Sequence, residues 1–66
     1  MKFNLVDWYG CRRHFEEMGY KDREEYEGDP FEKAKEFFER GLAVMIYPYK
    51  GKVNLCVSTR RFSQYG

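Results

Sequence analysis

Alternating hydrophobic and polar positions near the N-terminus predict a short β-strand. Over residues 2–6, Phe3 and Leu5 fall on one side of an extended chain and polar residues separate them. A strand that is buried on one face has this period of two residues. The pattern therefore predicts a first strand over residues 2–6.

A helical period follows over residues 8–18. Its apolar residues recur at intervals of three and four and share one helical face: Trp8, Cys11, Phe15 and Met18. Asp7 precedes the run as a candidate N-cap. Gly19 fits the position after the last turn, where glycine readily takes a left-handed conformation. We expect this helix to pack its apolar face on the core.

The start of a second helix has the sharpest local signal of the chain. Asp29 is a good N-cap, Pro30 suits the first helical position, and Glu32 completes a capping-box-like pattern. Gly41 is placed to end the helix. The expected core-facing stripe consists of Phe31, Ala34, Phe37 and Phe38.

The segment between the two helices, residues 20–28, is dense in charged residues. It has no apolar stripe at either the helical or the strand period. Charge runs of this kind usually lie on a solvated surface. The sequence therefore predicts a solvated connector, which includes Glu24, Glu25 and Glu27.

Residues 42–49 and 52–59 predict a β-hairpin with a two-residue turn at Lys50 and Gly51. This register gives one plainly apolar face, made of Leu42, Val44, Ile46, Val53, Leu55 and Val57. The other face carries Ala43, Met45, Tyr47, Tyr49, Asn54, Cys56 and Ser58. Pro48 lacks an N–H and its nitrogen would point away from the partner strand, so residues 42–49 are expected at a sheet edge.

Together these elements predict one small α+β domain over residues 1–66, since a chain of 66 residues can hold only one. The element order is βααββ. The expected sheet is three-stranded and antiparallel, in the order 2-3-1, with the two helices on one face. Residues 60–66 form a C-terminal tail in which Phe62 and Tyr65 are available to pack.

The chain is rich in aromatic residues, with six Phe, six Tyr and one Trp. A domain of this size has a marginal core and needs most of these rings inside it. We therefore assign Phe3, Trp8, Phe15 and the helical phenylalanines to the core or to helix ends. Tyr47 and Tyr49 remain as the main candidates for recognition.

Several classes of protein are not expected from this sequence. Apolar runs are too short for a membrane span or a signal peptide. Two cysteines are fewer than a disulfide-rich secreted domain uses, so we expect a cytoplasmic protein with Cys11 and Cys56 reduced. Cys11 and His14 form a CxxH pair without a second half-site, so no metal or other cofactor is expected.

Catalysis is not expected either. His14 is the only histidine, and Cys11, its neighbour on the predicted helix, lies on the apolar stripe. No glycine-rich phosphate loop is present. Because no set of nucleophile, base and orienting group can be assembled, we expect a protein that is not an enzyme.

The near-zero net charge hides an asymmetry along the chain. Residues 1–41 carry eight basic and eleven acidic residues, which gives −3. Residues 42–66 carry four basic residues and no acidic one, which gives +4. Such an asymmetry indicates what kinds of partner a protein attracts.

Two surfaces are candidates for binding. The polar hairpin face has tyrosines with basic residues at its ends, as single-stranded nucleic acid requires: Tyr47, Tyr49, Lys50, Lys52, Arg60 and Arg61. The same tyrosines could instead pack under the connector or the tail, or form a homodimer interface. The acidic residues Glu24, Glu25 and Glu27 could dock on a basic patch of another protein, or could simply form a solvated face.

The sequence favours a small non-enzymatic binding protein, a regulator or inhibitor that docks on another protein through a charged and aromatic surface. A nucleic-acid-binding module that uses the basic, tyrosine-bearing hairpin face is the alternative. A homodimer is a further arrangement that the small core would favour. Phages and other mobile elements commonly encode proteins of this size.

Overall fold

The computed structural model describes residues 1–62 as a four-stranded sheet with two helices. The elements are β1 (Lys2–Tyr9), α1 (Arg12–Met18), β2 (Glu24–Glu27), α2 (Pro30–Glu39), β3 (Ala43–Tyr49) and β4 (Lys52–Ser58). The predicted α+β class is confirmed. The packing role considered for Tyr65 lies outside the described residues. No helix within residues 1–62 is long and apolar enough to cross a membrane.

The predicted three-stranded antiparallel sheet is wrong, because the sheet is mixed and has the order β2-β1-β4-β3. β1 does lie beside β4, but the two strands are parallel, with Phe3 next to Val53 and Leu5 next to Leu55. β2 pairs antiparallel with the other side of β1. After β2, the chain changes direction before each of the next three elements, α2, β3 and β4. As a result, β4 runs in the same direction as β1.

The predicted solvated connector contains the strand β2. Tyr26 is its only apolar residue, and the ring lies 6.4 Å from that of Phe3 and 5.1 Å from that of Tyr20. An edge strand with one solvated face needs little apolar content, because backbone hydrogen bonds to β1 hold it. A single tyrosine among glutamates is too weak a pattern to predict such a strand.

The junction between β1 and α1 also differs from the prediction. β1 continues to Tyr9, and α1 begins only at Arg12, so Trp8 is 60% exposed instead of lying in the core. Gly10 makes the turn with φ +68°, and a Cβ there would lie 2.7 Å from the Thr59 hydroxyl oxygen. Strand pairing with β4 therefore prevails over the helical period of residues 8–11.

The predicted start and end of α2 are confirmed. The Asp29 carboxylate accepts hydrogen bonds from the N–H groups of Phe31 (2.9 Å) and Glu32 (3.4 Å). Gly41, with φ +88°, follows the helix, and the Leu42 N–H donates to the Phe37 carbonyl at 3.3 Å. This bond is the one expected of a Schellman ending.

The predicted core stripe of α2 is partly wrong. Its buried residues are Pro30, Ala34 and Phe37, while Phe31 and Phe38 are each 66% exposed. Both sets have helical spacing, and they differ by a rotation of about 100° around the helix axis. The local pattern could not distinguish them, and the packing of α2 on the sheet selects one.

The hairpin has the predicted register, with Tyr49 opposite Lys52 and Met45 opposite Cys56. β3 lies at the sheet edge, as Pro48 predicts. The core joins both helices to one face of the sheet and contains Phe3, Leu5, Cys11, Phe15, Ala34, Phe37, Leu42, Leu55 and Val57. Cys11 and Cys56 are buried free thiols.

Candidate interaction surface on the open face of the sheet

The face of the sheet opposite the core carries no helix within residues 1–62, and we call it the open face. Strand alternation and register place on it Lys2, Asn4 and Val6 of β1, Glu25 and Glu27 of β2, Met45, Tyr47 and Tyr49 of β3, and Lys52, Asn54 and Cys56 of β4. Most of the residues that the sequence analysis singled out for binding therefore share this face.

The centre of the open face is polar but uncharged. The Asn4 side-chain amide donates to the Asn54 side-chain carbonyl at 3.3 Å, and the Asn54 amide donates to the Lys52 backbone carbonyl at 3.2 Å. The Cys56 thiol donates to the Tyr47 hydroxyl oxygen at 3.7 Å. Burial raises the pKa of the Cys56 thiol, so this group stays neutral.

Tyr49 is the most accessible tyrosine of the open face, with 56% of its surface exposed. Its ring lies 6.4 Å from that of Tyr47, and the Lys50 ammonium stands 5.3 Å from its centroid. Exposed Met45 extends the apolar area along β3. These side chains form an aromatic margin along one edge of the sheet.

A shallow depression of about 370 Å³ lies between this margin and the segment that precedes β2. Its lining consists of Asn4, Val6, Arg23, Tyr49, Lys50, Lys52 and Asn54. Arg23 and Lys50 have positive φ values of 59° and 53°, which are uncommon for residues other than glycine. Arg23 was not identified from the sequence, because its position depends on the strand β2 that the pattern did not reveal.

Opposite charges meet on the open face. The Lys52 ammonium lies 3.7 Å from a Glu25 carboxylate oxygen. Glu27 accepts a 2.7 Å hydrogen bond from the N-terminal ammonium group, and this bond lowers the pKa of the Glu27 carboxyl. The acidic and basic candidates, which the sequence analysis treated as two separate surfaces, thus lie together.

The remaining candidates lie apart from this group. Arg60 and Arg61 follow β4, at the end of the sheet opposite the hairpin turn; the strand from Lys52 to Ser58 alone spans about 20 Å at 3.3 Å per residue. The Arg60 guanidinium stacks 4.4 Å from the centroid of the Tyr9 ring. Glu24 is exposed, but it alternates with Glu25 and belongs to the helix side of β2.

Comparison of the chain with protein-family models, curated proteins and solved structures finds no match. The functional conclusion therefore rests on the chemistry of the open face. That face offers an accessible aromatic margin, an uncharged centre and charges of both signs.

Proposed function

We propose that this protein is a small non-enzymatic binding protein, a regulator or inhibitor that docks on another protein through the open face. The observation that carries the proposal is the exposed ring of Tyr49 beside the paired charges of Lys52 and Glu25. Protein interfaces combine aromatic anchors with a polar rim in this way.

The charge pattern suits a protein partner better than a polyanion. Affinity for nucleic acid comes largely from cations that replace counterions along the phosphate backbone. On the open face both carboxylates engage cations that phosphates would otherwise contact: Glu25 engages Lys52, and Glu27 engages the N-terminal ammonium group. A protein surface with its own mixed charges can complement both signs.

Nucleic-acid binding remains the second candidate, and the depression supports it. Arg23, Lys50 and Lys52 surround its polar floor, and the Tyr49 ring forms one wall. A base could stack on this ring while the cations contact phosphates. Binding of nucleic acid in this way requires the ion pair between Glu25 and Lys52 to break, so that Lys52 can contact a phosphate.

The test is capture of a partner from the native cell by immobilised wild-type protein and by single variants. Tyr49→Ala and Glu25→Lys should each weaken capture at least about tenfold, because both alter the open face. Glu24→Lys is the matched control, since it reverses the same charge on the same strand but on the helix side. It should leave capture unchanged.

Two results would contradict docking on a protein. One is the absence of a retained protein at both low and moderate salt. The other is binding to a single-stranded oligonucleotide, with a slope of log affinity against log salt concentration that is smaller by about one in Lys50→Ala than in the wild type. The second result would support the nucleic-acid candidate instead.

A further inference from the structure

The outer edge of β3 is another surface that no element within residues 1–62 covers, and it is separate from the open face. β3 ends the sheet, and residues 42–49 include no charged side chain. Proteins usually protect edge strands with charges, prolines or bulges, because the unpaired backbone groups can bind another strand. Along β3 only Pro48 gives such protection.

Two exposed phenylalanines of α2 lie beside this edge. Phe31 and Phe38 are seven residues apart and share one side of the helix. Arg40 is two residues after Phe38, which places it about 200° away around the helix axis, on the opposite side. Its guanidinium contacts the Glu17 carboxylate of α1 at 3.1 Å. Since α2 lies over β3 and β4, the side that carries both phenylalanines faces away from α1 and past the edge of β3.

The backbone of β3 presents two outward donors. The hairpin register directs the backbone nitrogens of Val44, Ile46 and Pro48 away from β4, and proline has no hydrogen to donate. The Leu42 N–H is already bonded to the Phe37 carbonyl. Val44 and Ile46 are therefore the residues that can pair with a further strand.

These two donors fit a second copy of the same strand. When Val44 faces Ile46 of the other copy in an antiparallel pair, a two-fold axis passes beside Met45. Each copy then donates two N–H···O bonds in two reciprocal pairs. Pro48 falls opposite Leu42, where neither strand has a donor left to satisfy.

The same axis brings the exposed phenylalanines together. α2 runs back along β3 after the short turn at residues 40–42. Met45 lies about 10 Å along the strand from Leu42, and about seven helical residues span that distance. The axis therefore passes beside residues 33–34, between Phe31 and Phe38, so that Phe31 of one copy faces Phe38 of the other.

We propose that this protein forms a symmetric homodimer through the edge of β3, with the exposed phenylalanines packed across the axis. The open face stays accessible in this dimer, so the inference does not rest on the proposed function. The four rings, each about two-thirds exposed, would bury roughly 400–650 Å², and the strand edges add to this area. Such an interface is small, so dissociation is expected at micromolar concentration or above.

The first test is the molar mass in solution from about 10 μM to about 1 mM, measured by analytical ultracentrifugation. The mass should rise from 8.0 kDa towards twice that value. Phe38→Glu should raise the dimer dissociation constant at least about tenfold, because a carboxylate would be buried against Phe31. Tyr49→Glu, an equally drastic change on the open face, should leave the constant unchanged.

A disulfide tests the position of the axis. The two copies of Met45 would be directly opposite in a non-hydrogen-bonded pair, about 4.5 Å apart at Cα, which allows a disulfide. Met45→Cys is made together with Cys56→Ala, because Cys56 lies opposite Met45 on β4. Mild oxidation should give a covalent dimer. Tyr47→Cys in the same background should not, because its two copies would lie four residues apart along the strand.

A mass of 8.0 kDa over the whole concentration range would overturn the proposal. A dimer that Phe38→Glu does not weaken would overturn it as well. Equal cross-linking of Met45→Cys and Tyr47→Cys would exclude the proposed axis. Because the cross-link needs no change in α2, it decides the question even where Phe38→Glu fails to fold.

Discussion

Cys11 lies where β1 ends and α1 begins, and its thiol is held in the neutral form. Burial raises its pKa to about 11, and the charge of the neighbouring Asp7 acts in the same direction. The thiol donates to the Tyr9 carbonyl at 3.4 Å, while the Cys11 N–H donates to the Asp7 carboxylate at 3.0 Å. A thiol in this environment acts as an apolar packing group.

The native protein should react slowly with a thiol reagent such as dithionitrobenzoate. Only the thiolate attacks the reagent, and a pKa that is higher by two units lowers the thiolate population about 100-fold near pH 8. Cys56→Ala leaves Cys11 as the only thiol. The reaction rate of this variant should be at least about 100-fold lower in the native state than in guanidinium chloride. Similar rates in the two states would contradict the assignment.

In α2, some features depend on local contacts and others on tertiary contacts. The cap at Asp29 and the ending at Gly41 depend on residues within one helical turn, and both were predicted from the sequence. The direction in which Phe31 and Phe38 face depends on how the whole helix lies on the sheet. For the same reason the Tyr26 strand and the exposure of Trp8 were not predicted.

Removing the cap of α2 should destabilise the protein measurably. Asp29→Ala leaves two N–H groups of the first turn without their acceptor and should lower the free energy of unfolding by about 1 kcal/mol. Asp29→Ser should retain most of the stability, since serine also caps well. Urea titration followed by circular dichroism measures both. An unchanged midpoint in Asp29→Ala would show that the cap contributes nothing.

The charge separation along the chain does not become a charge separation in the folded protein. The acidic and basic parts of the sequence each supply strands to one sheet, in the order β2-β1-β4-β3. Glu25 of the acidic part therefore lies within 3.7 Å of Lys52 of the basic part. The charge asymmetry along the chain becomes, on the open face, a surface of mixed charge.

The stability of the fold should decline at alkaline pH. Burial raises the pKa values of the Cys11 and Cys56 thiols. A hydrogen bond with Cys56 raises the pKa of Tyr47, and a hydrogen bond with Tyr20 raises the pKa of Lys33. A group whose pKa is raised in the folded state contributes its full stability at a pH below its pKa in the unfolded chain. This contribution is lost as the pH rises through the pKa of the folded state.

The free energy of unfolding should therefore fall by about 1–3 kcal/mol between pH 9 and pH 11, as measured by urea titration. Cys11→Ala should show a shallower decline over the same range, because its thiol can no longer ionise on unfolding. A free energy of unfolding that is constant or rises over this interval would contradict the buried, neutral state of the thiol.

Features that arise from neighbouring residues could be predicted from the amino-acid sequence alone. The Asp29 cap, the glycine endings of both helices, the Lys50–Gly51 turn and the register of the hairpin all follow from contacts a few residues apart. The edge position of β3 follows from the missing N–H of Pro48. Such contacts form in almost any fold that contains the segment, so a local pattern is enough to predict them.

Three features emerge only when the chain is folded: the strand β2, the parallel pairing of β1 with β4, and the exposure of Phe31 and Phe38. It also brought Glu25 to Lys52 and so merged the two candidate surfaces into the open face. Each of these outcomes depends on contacts between residues that are distant in sequence. The favoured arrangement depends on the sum of the free energies of all these contacts. The pattern of a single segment is therefore not enough to predict it.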